Sequence, residues 1–126
     1  RDPSKRNVTK MVRIQHVKIW NKFYKYYCSS INKYRNNCYV GGYWHGTRLT
    51  KPDIIWKGNG FDKNKSRIGN CLWFATENTY SMNGFEHHLN DGSGTCQVFL
   101  AFVICGNNND VKFIRSNKIL NVYKND

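Results

Sequence analysis

The sequence predicts a single α+β domain, and three observations carry that expectation. Apolar residues near the N-terminus recur at helical spacing, at Phe23, Tyr27 and Ile31. Later apolar stretches are short and bounded by glycine and asparagine, as strands are. The two kinds of element do not alternate as strand–helix–strand units, which argues against a doubly wound parallel sheet. With 126 residues, 40% hydrophobic and 15% aromatic, the chain can close a core and is too apolar to stay disordered. One monomeric domain over residues 1–126 is expected, with the polar and basic residues 1–7 fraying.

Taken in order, residues 8–19 mix β-branched and polar side chains. Val12 and Ile14 alternate against Arg13 and Gln15, which reads as a strand. Asn21 is placed to cap a helix over residues 22–34, whose Phe23, Tyr27 and Ile31 make one stripe with Tyr24 beside it. Residues 39–47 form an aromatic strand containing Gly41 and Gly42, the mark of a strand approached closely by another backbone or a ligand. Lys51-Pro52-Asp53 starts a short helix, with Pro52 in its first turn. Gly58-Asn59-Gly60 stops that helix. A basic loop over 61–70 leads to a short strand at 71–75 and a short helix within 76–85, capped by Thr76. Asp91-Gly92 and Ser93-Gly94 place turns in a loop over 87–95. The apolar run 96–105 reads as a central strand buried on both faces. A hairpin turn at Gly106-Asn107 and strands at 111–115 and 119–123 complete the chain.

Twenty Lys and Arg against eight Asp and Glu give a net charge of +12. Such a field attracts nucleic acid, an anionic membrane or a phosphorylated ligand. The 17 asparagines and 13 lysines are also what an A/T-rich coding bias yields, so charge alone selects no partner. The five cysteines include no C-x-x-C pair, and no Cys/His cluster has zinc-ligand spacing, so no metal is expected. An odd count leaves at least one free thiol in a monomer, and a Cys28–Cys38 bridge stays open. Asn7-Val8-Thr9 and Asn64-Lys65-Ser66 are sequons that matter only on a eukaryotic secretory route. The sequence has no apolar stretch of about 18 residues, so no transmembrane segment is expected. A secreted, host-directed location and a cytoplasmic or nuclear one both stay open.

Three local groups carry chemistry. Tyr43-Trp44-His45-Gly46-Thr47 puts an imidazole beside a glycine at a strand end. Trp73-Phe74-Ala75 followed by Tyr80-Ser81 puts aromatics and a hydroxyl around a strand-to-helix turn. Asp110 is an acid just past the long apolar run. Taken singly, these read as a core histidine, core packing and a turn residue.

Taken together and in this order, they resemble the catalytic domain of the diphtheria-toxin-like ADP-ribosyltransferases, the poly(ADP-ribose) polymerase family. His45-Gly46-Thr47 is similar to the family's strand ending in His-Gly-Thr. Trp73-Phe74-Ala75 with Tyr80-Ser81 is similar to its aromatic-Phe-Ala and the following helix with Tyr-Ser. Gly60-Phe61-Asp62 looks like the opening of its donor loop, and residues 98–106 look like its apolar strand ending in glycine. Val12-Arg13-Ile14-Gln15 and Tyr26-Tyr27 look like its first strand and helix. The resemblance spans nearly the whole chain and implies a split antiparallel β-sheet with a few short helices.

It also implies NAD as co-substrate. His45 would donate to the 2′-hydroxyl of the adenosine ribose. Gly46, followed by Thr47, lets the backbone reach the nicotinamide carboxamide, which a Cβ would obstruct. The Ser81 hydroxyl bonds the same carboxamide, within the motif that Phe74 completes. Trp73, where the family usually has Tyr, and Phe85 or Tyr80 would sandwich the ring. Gly84 occupies the usual position of the second aromatic. Asp110 falls nearest the family's catalytic glutamate, one methylene shorter, with Val111 beside it. The catalytic set implied is His45, Tyr80 and Asp110.

Two departures narrow the expectation. Cys71 replaces a glycine of the second motif, and the connection 106–110 is far shorter than the family's acceptor loop, which argues against polymer elongation. Mono-ADP-ribosylation of a protein or nucleic-acid acceptor is the leading expectation. An inactive NAD- or ADP-ribose-binding module, an NAD glycohydrolase and a secreted effector are its alternatives. A non-catalytic basic nucleic-acid binder is a reading of another class, without an RNP, KH or zinc signature behind it.

Overall fold

The computed structural model describes residues 7–34, 39–62, 72–82, 84–105, 111–114 and 119–122. The molecule is α+β with antiparallel sheets. Helix α1 spans Val17–Tyr34, β1 Tyr39–His45, α2 Pro52–Trp56, β2 Leu72–Ala75 and α3 Asn78–Ser81. Strands β3 (His87–His88), β4 (Cys96–Gln97), β5 (Phe99–Cys105), β6 (Val111–Ile114) and β7 (Ile119–Val122) follow. The main sheet has the order β5-β1-β2-β7-β6, and β3 pairs with β4 as a separate ribbon.

Strand β1 lies between β5 and β2. Its seven residues pair antiparallel with all of β5, from Tyr39 opposite Cys105 to His45 opposite Phe99. On its other side Trp44 pairs with Ala75 of β2. Alternation puts Gly41, Tyr43 and His45 on one face. That face holds the small core, in which Tyr43, Phe74, Val103 and Cys105 are buried and Phe61, Leu72 and Ala101 pack against them. Gly41 makes room for the Tyr43 ring: a Cβ there would sit 2.6 Å from Tyr43 Cε2. The ring thereby lies back along its own strand, and its hydroxyl comes within 3.8 Å of the buried Cys105 Sγ.

Several expectations change. No strand forms over residues 8–19: residues 7–16 have no regular secondary structure and their apolar side chains are exposed. Both neighbours of β1 are taken by β5 and β2, so the alternation at Val12 and Ile14 meets no sheet to bury it. The helix starts at Val17, ahead of Asn21, because His16 closes its first turn. The His16 carbonyl accepts the Trp20 amide proton at 2.8 Å, and its Nδ1 faces the Ile19 amide at 3.4 Å. The run 96–105 is no doubly buried central strand. It divides at Val98 into β4 and β5, and β5 is a sheet edge whose Leu100 and Phe102 are exposed. The helix expected within 76–85 is limited to one turn at 78–81. The loop 87–95 begins with β3 and then turns through Gly92 and Gly94, both in left-handed conformations as the turn signals implied. Cys28 is a free thiol, and Cys38 lies outside the described residues.

Helix α2 forms where Pro52 implied it. Asp53 accepts from Trp56 Nε1 at 3.1 Å and from Lys57 Nζ at 3.3 Å, an exposed local network of small energetic weight. The two final strands form as expected, with β6 antiparallel to β7 and β7 antiparallel to β2, but β5 and β6 do not pair as the hairpin expected at Gly106-Asn107 requires: they are opposite edges of the sheet, and residues 106–110 lie outside the described residues.

Candidate functional site

The site grows from the C-terminal end of β1. His45 Nδ1–H donates to the Trp73 carbonyl of β2 at 2.7 Å; the nitrogen must carry the proton, because a carbonyl only accepts. The neutral ring then presents Nε2 as an acceptor, so His45 is not the hydrogen-bond donor that the resemblance implied. The imidazole is also held by rings. Phe61 meets it edge-on at 4.9 Å and Phe74 at a tilt at 5.3 Å, while Phe61 touches Phe99 at 5.2 Å. Burial in this aromatic setting lowers the His45 pKa, opposed in part by the Trp73 carbonyl, so the ring is neutral at pH 7.

One residue on, Gly46 is pressed against the backbone of Phe85. A Cβ at Gly46 would lie 2.3 Å from the Phe85 carbonyl oxygen and 2.5 Å from its carbon. No side chain fits there, which is the physical reason for a glycine after the histidine. The contact continues as a clamp around Arg48. The Arg48 amide donates to the Phe85 carbonyl at 2.8 Å, and the Arg48 carbonyl accepts from His87 Nδ1 at 2.7 Å. Arg48 has φ 56°, a left-handed conformation that a non-glycine residue keeps only where its surroundings hold it. Thr47 starts this turn, its hydroxyl donating to the Thr50 carbonyl at 2.6 Å.

Ser81 lies at the end of α3, which packs against β1 and β2. It is 3% exposed, and its hydroxyl makes no hydrogen bond among the described residues. A buried hydroxyl in that state calls for a partner. Phe85 carries its ring into solvent at the edge of the same region. Trp73 reaches His45 through its carbonyl, and strand alternation directs its indole to the face opposite Phe74. Tyr80 is in the α3 backbone, and its side chain lies outside what is described. Asp110 also lies outside the described residues. The structure thus gathers His45, Gly46, Thr47, Phe74, Phe85 and the Trp73 carbonyl at one end of the sheet, with Ser81 on the helix packed behind.

Sequence reasoning missed Glu86 and its neighbours. The Glu86 side chain is 5% exposed, yet it carries a carboxylate beside this strand end. Its Oε2 accepts the Gly84 amide at 2.8 Å and its Oε1 lies 3.1 Å from His88 Nε2. Those partners make the burial tolerable. Nothing local marked it, because an acid in a loop between glycine and histidine reads as solvated. Among the described residues no group of three or more His, Cys, Asp or Glu is placed to hold a metal ion. Among the same residues no helix is long and apolar enough to cross a membrane.

Compared with known proteins, the chain matches no family model, no curated protein sequence and no solved structure.

Proposed function

We propose that the chain is an NAD-dependent mono-ADP-ribosyltransferase with the split-sheet fold of that family, acting on a protein or nucleic-acid acceptor. The observation that supports it best is the end of β1: a neutral imidazole fixed by the Trp73 carbonyl at 2.7 Å, followed at once by a glycine that cannot bear a side chain. Those are the two properties the His-Gly pair needs. The Ser81 hydroxyl, buried and without a hydrogen bond among the described residues, lies on the helix packed against β1 and β2 and suits a carboxamide.

Each residue then has a task. His45, held in one tautomer, accepts the proton of a ribose hydroxyl at Nε2 and orients the sugar. Gly46 offers backbone amide and carbonyl groups to the carboxamide without a Cβ in the way. Ser81 satisfies its buried hydroxyl on that same group. The exposed Phe85 ring supplies an apolar wall for a planar heterocycle. NAD supplies the chemistry, a nicotinamide–ribose bond that breaks with oxocarbenium character. The acceptor's nucleophile bonds to the anomeric carbon, nicotinamide leaves with the bonding pair, and the acceptor loses a proton. Asp110 is the acid placed nearest in sequence to hold the ribose and stabilise positive charge as the bond breaks.

Thermal unfolding with and without NAD tests the reading. A hundredfold excess over the dissociation constant stabilises by about 2.7 kcal/mol. Ser81→Ala should melt like the wild type without ligand but bind nicotinamide about fivefold more weakly, the worth of one hydrogen bond near 1 kcal/mol. Labelled NAD with cell lysate should leave single ADP-ribose units on acceptors. No melting shift at millimolar NAD removes the proposal.

A further inference from the structure

Residues 7–34 contain six lysines and arginines and no aspartate or glutamate. The same segment exposes apolar side chains. Met11 is 83% exposed and Trp20 57%, and Val8, Val12 and Val17 are also largely in solvent. Solvent-exposed aliphatics of this number call for an explanation.

Helix α1 sorts these residues. At 100° per residue, Trp20, Phe23, Tyr24 and Tyr27 share one face, and Lys18, Lys22, Lys25 and Lys33 share the opposite one. The aromatic face looks onto the outer side of the main sheet but does not seal against it. A groove of about 330 Å³ remains between them, lined only by apolar and aromatic side chains and open to solvent. On its sheet side Phe102 is 73% exposed, and Leu100, two residues away on the same strand face, is 53% exposed. Apolar side chains are therefore exposed in residues 8–17, along α1 and on the edge strand.

We propose that this surface docks the protein on an anionic lipid bilayer. Charge complementarity selects the occupant. A second copy of a chain with net charge +12 is repelled at long range. Single-stranded nucleic acid would use the lysines and stack on aromatics, but it gains nothing from Val8, Met11, Val12 or Val17. A bilayer interface uses both halves. Valine and methionine enter the acyl boundary, Trp20 and Tyr24 sit at headgroup level, and the lysines remain above it. A helix is about 10–12 Å across, comparable to the screening length in physiological salt, so lysines on the far face still feel the surface charge. The site is independent of the NAD reading, since it lies on the outer face of β5 and not at the end of β1.

Co-sedimentation of the whole chain with vesicles decides it, using phosphatidylcholine alone and phosphatidylcholine mixed equally with phosphatidylserine. Binding is expected only with phosphatidylserine present. The triple variant K18Q/K22Q/K25Q should bind about tenfold or more weakly. Trp20→Ser combined with Phe102→Ser should lower binding by about a hundredfold, with the circular dichroism spectrum unchanged. If that double variant does not fold, Phe102→Ser alone carries the test, because its ring is in solvent. No sedimentation with the mixed vesicles overturns the proposal. So does equal binding to both vesicle types, or binding indifferent to Phe102, or retention by single-stranded RNA with none by vesicles.

Discussion

Replacing Gly46 with alanine places a Cβ 2.3 Å from the Phe85 carbonyl oxygen and 2.5 Å from its carbon. Both obstacles are backbone, so no rotamer change relieves the overlap. Residues 84–88 must move away from the end of β1 instead. That movement opens the Arg48 amide bond to Phe85 at 2.8 Å and the His87 bond to the Arg48 carbonyl at 2.7 Å. Overpacking of this kind costs about 1–3 kcal/mol, and the two opened hydrogen bonds about 1 kcal/mol each at most. A total near 3 kcal/mol is expected, a fall in melting temperature of about 10 °C for a domain of this size. Gly42→Ala is the matched control in the same strand. Its Cβ would meet only Leu100 Cδ1 at 3.7 Å, an ordinary contact. There the alanine restricts the unfolded chain and should stabilise by about 0.4–1 kcal/mol. Paired thermal and urea unfolding of the two variants is the assay. If Gly46→Ala melts within about 2 °C of the wild type, the Phe85 segment does not rest on Gly46, and the site geometry described above is wrong.

Two further outcomes follow from single residues. Burial lowers the His45 pKa in the fold, so between that value and the ordinary one near 6.5 the unfolded chain binds more protons. The stability from a neutral His45 is thus complete above about pH 6.5 and is lost as pH falls toward the folded value. Urea unfolding across this range should show the slope in the wild type and a shallower one in His45→Gln; equal slopes would mean that His45 does not titrate as a buried ring. On the proposed ADP-ribosyl transfer, Asp110→Asn should reduce turnover of NAD about 10²–10³-fold with NAD affinity little changed. Equal turnover would reduce Asp110 to a turn former and leave catalysis to His45 and the aromatics.

Elements whose signals are local are legible in the chain alone. Pro52 fixed the first turn of α2, the glycines after Asp91 fixed the ribbon's turn, and the spacing of Phe23, Tyr27 and Ile31 fixed a helix. The chain alone also determined the order of His45-Gly46, Trp73-Phe74 and Ser81, which is where the functional proposal starts. Which strand lies at the edge is set by pairing between segments distant in the chain. The apolar run over 96–105 and the alternation over 8–19 are both valid local patterns, but neither says which strand lies across the ladder. Strands β5 and β2 take the two sides of β1, which leaves β5 as an edge of the sheet and residues 8–16 as an exposed segment. The burial of Glu86 and the left-handed Arg48 belong to the same class. Both depend on segment 84–88 closing against the end of β1, a contact between residues some forty positions apart that no local spacing encodes.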